Sequence, residues 1–290
     1  MSLVALVLNG LMLGGLYGVF GLGLAFSFGI MRVVNIAHGE FIVLAAYLGA
    51  TLLAHTPLPL VAIVPIVVFC AFALGWLMQS LLLNRLVGPN PVPAMVVTMG
   101  LSIVIRNALE SIFGVGIRSI TLGAIQERSV ELFGVPVGIL PLIIFACAVV
   151  VFAGMHLLLT RTTLGRAFRA AADDFEIVQT LGFSRRGLYS LAMGVSVALS
   201  ALAGLLLAMQ SSFSPYAGVA RLLLSFEVVI IGGLGSLRGS FFAGLGLGLV
   251  QVVGLSVDSD AGALFQHIAF FAVLLARQLR LPATFAWRRR

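Results

Sequence analysis

Residues 3–30 read LVALVLNGLMLGGLYGVFGLGLAFSFGI, an apolar run without a single charge. A helix needs about 20 such residues to cross the hydrocarbon core of a bilayer. The run lacks the basic flank and the short apolar core of a cleaved signal, so it reads as a first transmembrane helix. Eight further apolar runs follow at 36–54, 58–83, 92–112, 136–160, 188–209, 222–236, 240–257 and 262–279, separated by charges and Pro/Gly breaks. The run 222–236 is short, holds Glu227 and ends in Gly232, Gly233 and Gly235, the pattern of a re-entrant or broken helix. The expected fold is an all-α polytopic transmembrane bundle of eight to nine membrane segments. Residues 1–290 form one unit, with no stretch that resembles a soluble domain.

Composition supports that reading. Of 290 residues 61% are hydrophobic and 9% are charged, and mean hydropathy is +1.16. A soluble domain carries about 25% charged residues, so a water-facing surface is excluded. The net charge is +7, and every basic residue is an arginine. Arg161, Arg166, Arg169, Arg185 and Arg186 cluster in the loop 161–187, and Arg277, Arg280, Arg288, Arg289 and Arg290 in the tail. Basic loops stay cytoplasmic, which places the loop and the C-terminus inside and, with nine crossings, the N-terminus outside. The positive charge then reflects orientation and anionic lipid. Nucleic acid, which needs a soluble basic surface, is excluded as a partner. Cys70 and Cys147 fall inside apolar runs without metal or redox spacing and are expected to be buried small hydrophobes.

Polar groups inside spans are costly and mark function. The densest cluster is Asn35-Ile36-Ala37-His38-Gly39-Glu40. Asn35 is placed to cap a helix and Glu40 to face its positive end. The same residues could line a solute pathway or its gate, together with Glu227, Gly232, Gly233 and Gly235. No third ligand accompanies His38 and Glu40, so no metal site is expected. Arg106 and Glu110 are spaced for an intrahelical pair, and His156 and His267 lie near span ends. Gly14/Gly18, Gly235/Gly239 and Gly244/Gly248 have the spacing of close helix packing. Gly-Leu-Tyr recurs at 15–17 and 187–189, a weak internal repeat. There is no phosphate-binding loop, nucleophile elbow or catalytic carboxylate pair. The chain is therefore expected to be no enzyme, to bind no cofactor and not to hydrolyse ATP by itself.

In the loop 161–187 the stretch from Ala170 to Leu181 favours a short helix. Asp173, Asp174 and Glu176 lie in its early turns, Phe175, Val178 and Leu181 on one face, and Gly182 at its end. Its acidic first half disfavours an anionic membrane surface and favours docking into a protein groove.

Four stretches in order resemble the permease subunits of ABC importers for branched-chain amino acids. They are Asn35-Ile-Ala-His-Gly39, Gly165-Arg-Ala-Phe-Arg-Ala170 through Leu181-Gly182, Ala203-Gly204 with Ser214-Pro215 and Gly218, and Gly232-Gly-Leu-Gly-Ser236 with Gly239. Val178, Leu224, Glu227 and the Trp287-Arg-Arg-Arg290 tail depart from that pattern. The resemblance implies a bacterial inner-membrane subunit working by alternating access. It further implies a second permease subunit, two ATP-binding subunits that carry ATP and Mg, and an extracytoplasmic solute-binding protein. Gly165, Ala170, Asp173, Asp174, Phe175, Val178, Leu181 and Gly182 would then couple to the ATPases. Related importers carry urea or short amides. A stand-alone ion-coupled secondary transporter, with Glu40 and Glu227 as its intramembrane acids, is the competing reading.

Overall fold

The computed structural model describes residues 2–88, 90–173 and 182–280. Its helices are α1 (Leu3–Met31), α2 (His38–His55), α3 (Leu60–Leu81), α4 (Val92–Phe113), α5 (Ala124–Glu127), α6 (Ile139–Arg161), α7 (Thr163–Asp173), α8 (Arg185–Gln210), α9 (Ala217–Gly232), α10 (Leu237–Val257) and α11 (Gly262–Arg280). An antiparallel hairpin of β1 (Ser129–Leu132) and β2 (Val135–Gly138) lies between α5 and α6. Its turn, Phe133-Gly134, has φ of 53° and 76°, the positive values that a two-residue hairpin turn requires.

Seven of these helices (α1, α3, α4, α6, α8, α10 and α11) are long and apolar enough to cross a bilayer, fewer than the eight to nine segments expected. The other two apolar runs are helical but fall short. α2 carries His38, Glu40 and His55, and α9 has 16 residues, a rise of about 24 Å.

α1 and α8 form the centre. Of the most apolar stretch of α8, 78% is buried, against 17% in α6 and α11, which turn bare apolar faces outward. Cys70 follows that outer pattern: it is exposed on α3 and Cys147 is half-buried, contrary to expectation. An apolar run in a bundle has a lipid face, so apolar does not imply buried.

Small residues let the central helices touch. A methyl group on Gly244 would lie 2.6 Å from the Cα of Gly18, and one on Gly14 2.5 Å from the Cα of Leu245. The expected Gly14/Gly18 and Gly244/Gly248 pairs therefore face each other across α1 and α10. Gly235 and Gly239 do not act as a pair. Gly235 sits in the α9–α10 turn with φ 84° against Gly29, and Gly239 packs on Gly232.

α1 and α8 run antiparallel: Ser196 Oγ donates to the Gly23 carbonyl, and His38 bridges the Phe20 carbonyl and Ser200. His38 opens α2, so α2 begins level with Ser200, partway along α8. The chain thus leaves α1 at Met31 and returns into the bundle through residues 32–37 before α2 starts. A second return, residues 211–216, joins α8 to α9. The repeated Gly-Leu-Tyr does not mark these two units, because it sits mid-helix in α1 and in the first turn of α8.

Candidate functional site

The two short helices meet at their first turns. Ala37 and Tyr216 precede them with nearly the same backbone, φ −76°, ψ 1° and φ −86°, ψ −6°. Gly39 and Gly218 each take the second helical position. A Cβ on Gly39 would overlap the Gly218 carbonyl, and one on Gly218 the Glu40 carboxylate. Only glycine permits this crossing.

The return before α2 is buried at Val33, Asn35 and Ala37, where no water can satisfy a backbone N–H. Side chains supply the partners. Thr98 Oγ1 accepts from Ile36 N at 3.1 Å, and Asn35 Oδ1 from Ala37 N at 3.0 Å. Asn35 was expected to cap the helix. It binds one residue earlier instead, closing the turn that leads into His38.

His38 is 1% exposed, with Nε2 3.0 Å from the Phe20 carbonyl and Nδ1 3.0 Å from Ser200 Oγ. Donation from Nε2 and acceptance at Nδ1 fit a neutral imidazole. Glu40, also 1% exposed, accepts from Ser102 Oγ at 3.3 Å, and its Oε2 has no partner. Arg106 lies within Coulombic reach of Glu40. The expected Arg106–Glu110 ion pair does not form: among the described residues the one ion pair is Glu227–His267. Glu110 faces Tyr216, at the start of α9.

Glu227 lies apart from this cluster. It is buried on α9, receives Gln266 Nε2 at 2.6 Å and is bonded by His267 Nδ1, whose side chain stays 40% exposed near the start of α11. Arg277 donates to the carbonyls of Ile230 at 2.8 Å and Ile231 at 2.5 Å, capping the end of α9. Both contacts bind α11 to α9. Gly232 packs against Ser240, and Gly233 and Gly235 take φ of 94° and 84° in the turn beyond.

At the same end of the bundle lies α7. It begins at Thr163, where Thr162 Oγ1 accepts from Gly165 N at 2.9 Å, and it overlaps the helix expected from Ala170 to Leu181 only at its described end, 170–173. Gly165, Ala167, Phe168 and Ala171 form its buried face, while Ala170 is half-buried. Phe168 meets Phe26 edge-on at 5.3 Å, and a methyl group on Gly165 would lie 2.5 Å from the Leu159 Cα. Asp173 is its last described residue. Asp174, Phe175, Val178 and Leu181 lie outside the described residues. Gly182 has φ 79°, which a residue with a Cβ adopts at a cost of roughly 1 kcal/mol or more.

Sequence reasoning missed Thr98, Ser102, Ser196 and Ser200. Each pair is spaced i, i+4 within an apolar run, and two hydroxyls on one face of a span are the signal that could have found them. Among the described residues no three His, Cys, Asp or Glu side chains converge for a metal.

A multi-pass helical bundle with buried polar groups where two interrupted helices meet has the build of a membrane transport subunit. The chain belongs to the family described as the permease component of branched-chain amino acid transport systems, whose profile matches residues 6–276. It is 28% identical over 288 residues to the high-affinity branched-chain amino acid transport system permease protein BraD of Pseudomonas aeruginosa, covering 95% of this chain and 93% of that one. With LivH of Salmonella typhimurium, given the same description, identity is 25% over 286 residues, 94% of this chain and 92% of the relative. A probable branched-chain amino acid transport permease protein LivH of Methanocaldococcus jannaschii is 26% identical over 276 residues, 91% and 86% of the two chains. No solved structure matches.

Proposed function

We propose that this chain is a transmembrane permease subunit of an ATP-driven importer for branched-chain or related small amino acids, set in a bacterial inner membrane with its C-terminus cytoplasmic. It pairs with a second permease subunit, receives solute from an extracytoplasmic binding protein and is driven by two ATP-binding subunits, which hold ATP and Mg. Its own work is alternating access. The observation that supports coupling is α7, packed across α1, α6 and α8 at the end where the α9–α10 turn lies. A push on the segment after α7 is passed directly to the central helices.

The test is reconstitution of the full complex in proteoliposomes. Wild type should show ATP-driven leucine uptake and solute-stimulated ATPase. Gly182→Val, which forces a side chain onto a left-handed backbone, should leave insertion and subunit co-purification intact and lower both activities. Phe175→Asp should act alike by placing a charge in an apolar groove. Normal stimulation in both variants would show that 161–187 is not the coupling element. The buried acids Glu40 and Glu227 and the two interrupted helices favour a second reading, an ion-coupled transporter. Gradient-driven uptake by the chain alone would establish that reading instead, and uptake of urea or short amides in place of leucine would change the solute.

A further inference from the structure

A carboxylate buried in a membrane bundle is costly unless paired. Glu40 has one long hydrogen bond and one free oxygen. Arg106, one turn beyond Ser102 on α4, senses its charge without forming an ion pair. Two opposite charges therefore share a seam while standing apart. Next to them, α2 and α4 enclose a groove of about 350 Å³ whose lining includes Leu44, Tyr47, Leu48, Ile105, Leu109 and Phe113. That volume is within the roughly 300–1,000 Å³ of small-molecule sites. Leu44 and Leu48 follow Glu40 at i+4 and i+8, and Ile105 and Leu109 follow Ser102 at i+3 and i+7. Charges and groove thus lie along one seam.

We propose that the α2–α4 seam is the subsite that holds the solute in transit, a zwitterionic α-amino acid with an apolar side chain. Its ammonium binds the free oxygen of Glu40, its carboxylate binds Arg106, and its side chain fills the groove. The chemistry matches at each point. An ammonium offers three donors to a carboxylate that lacks one, a guanidinium recognises a carboxylate through paired N–H groups, and the groove supplies apolar contact. The crossing of Gly39 with Gly218 shuts this seam against α9, so parting of α2 from α9 would uncover Glu40. The assignment rests on the importer reading above.

The test uses the complete importer in proteoliposomes, turning over ATP with loaded binding protein, in a Cys70→Ser, Cys147→Ala background. Leu48→Cys, at a groove position 38% exposed, is reacted with a small maleimide. Leucine should slow the labelling. 4-Methylpentanoate, which lacks the ammonium, and 3-methylbutylamine, which lacks the carboxylate, should not. Glu40→Gln keeps side-chain shape and Arg106→Gln removes the guanidinium charge, and each should abolish the protection and lower leucine uptake at least about tenfold. Labelling that leucine leaves unchanged overturns the subsite even if the two variants fail to assemble. Labelling that responds only to added lipid assigns the groove to an acyl chain and overturns it too. Wild-type complex that takes up leucine without protection loses only this subsite. Wild-type complex without ATP-driven uptake overturns the importer reading and the subsite together.

Discussion

Residues 32–37 and 211–216 both carry the chain from a long helix back to the first turn of a short one, yet they are held differently. In the first return the partners are side chains, Thr98 Oγ1 and Asn35 Oδ1. In the second they are main chain: Phe213 and Arg118 exchange two backbone hydrogen bonds, at 2.8 and 2.9 Å. The surroundings explain the difference. The first return runs through the interior, where no second strand can reach it. The second leaves Ser211, Ser212 and Tyr216 exposed and lies beside the connection after α4, which offers a free backbone edge. Phe213 then anchors it edge-on to Tyr47, with ring centroids 5.0 Å apart. An interrupted helix inside a bundle needs dedicated polar side chains, while one entering from the end can borrow a neighbouring strand.

That contrast can be broken experimentally. The largest effect is expected where the returns converge. Gly39→Ala and Gly218→Ala each place a methyl group into backbone or carboxylate, and should lose about 3 kcal/mol or more of stability. Thermal unfolding of the purified protein measures it. Wild-type stability in both variants would mean that the two first turns do not cross as closely as described.

A middle effect separates the returns. Thr98→Val and Asn35→Ala strip a buried N–H of its partner and should each cost about 1–3 kcal/mol. Hydrogen exchange at Ile36 and Ala37 should rise in step. Unchanged exchange in both would show that side chains do not hold the first return.

The smallest effect is the matching change in the second return. Ser212→Ala removes an exposed hydroxyl from a segment held by backbone pairing and should stay within about 0.5 kcal/mol of wild type. A loss as large as that of Asn35→Ala would erase the distinction.

Much of this was legible in the sequence. Nine apolar runs became nine helices, and the short run 222–236 with Glu227 fell in a helix too short to span. Asn35, His38, Gly39 and Glu40 are all buried at the start of α2. What was not legible was partnership. His38 finds Ser200 162 positions away, and Glu40 finds Ser102 62 positions away. The hairpin was hidden because Phe133, not asparagine, occupies its positive-φ turn position.

The sequence by itself determined a membrane bundle, the positions of its nine apolar helices and its family. Each follows from a local quantity, the cost of moving charged or apolar residues between water and hydrocarbon, summed over about 20 neighbours. Only the tertiary structure decided that α2 begins inside the bundle, that its glycine crosses that of α9, and that Glu40, Ser102 and Arg106 share a seam beside an apolar groove. Those facts depend on which faces of distant helices meet, and hydropathy along one strand of sequence carries no record of that.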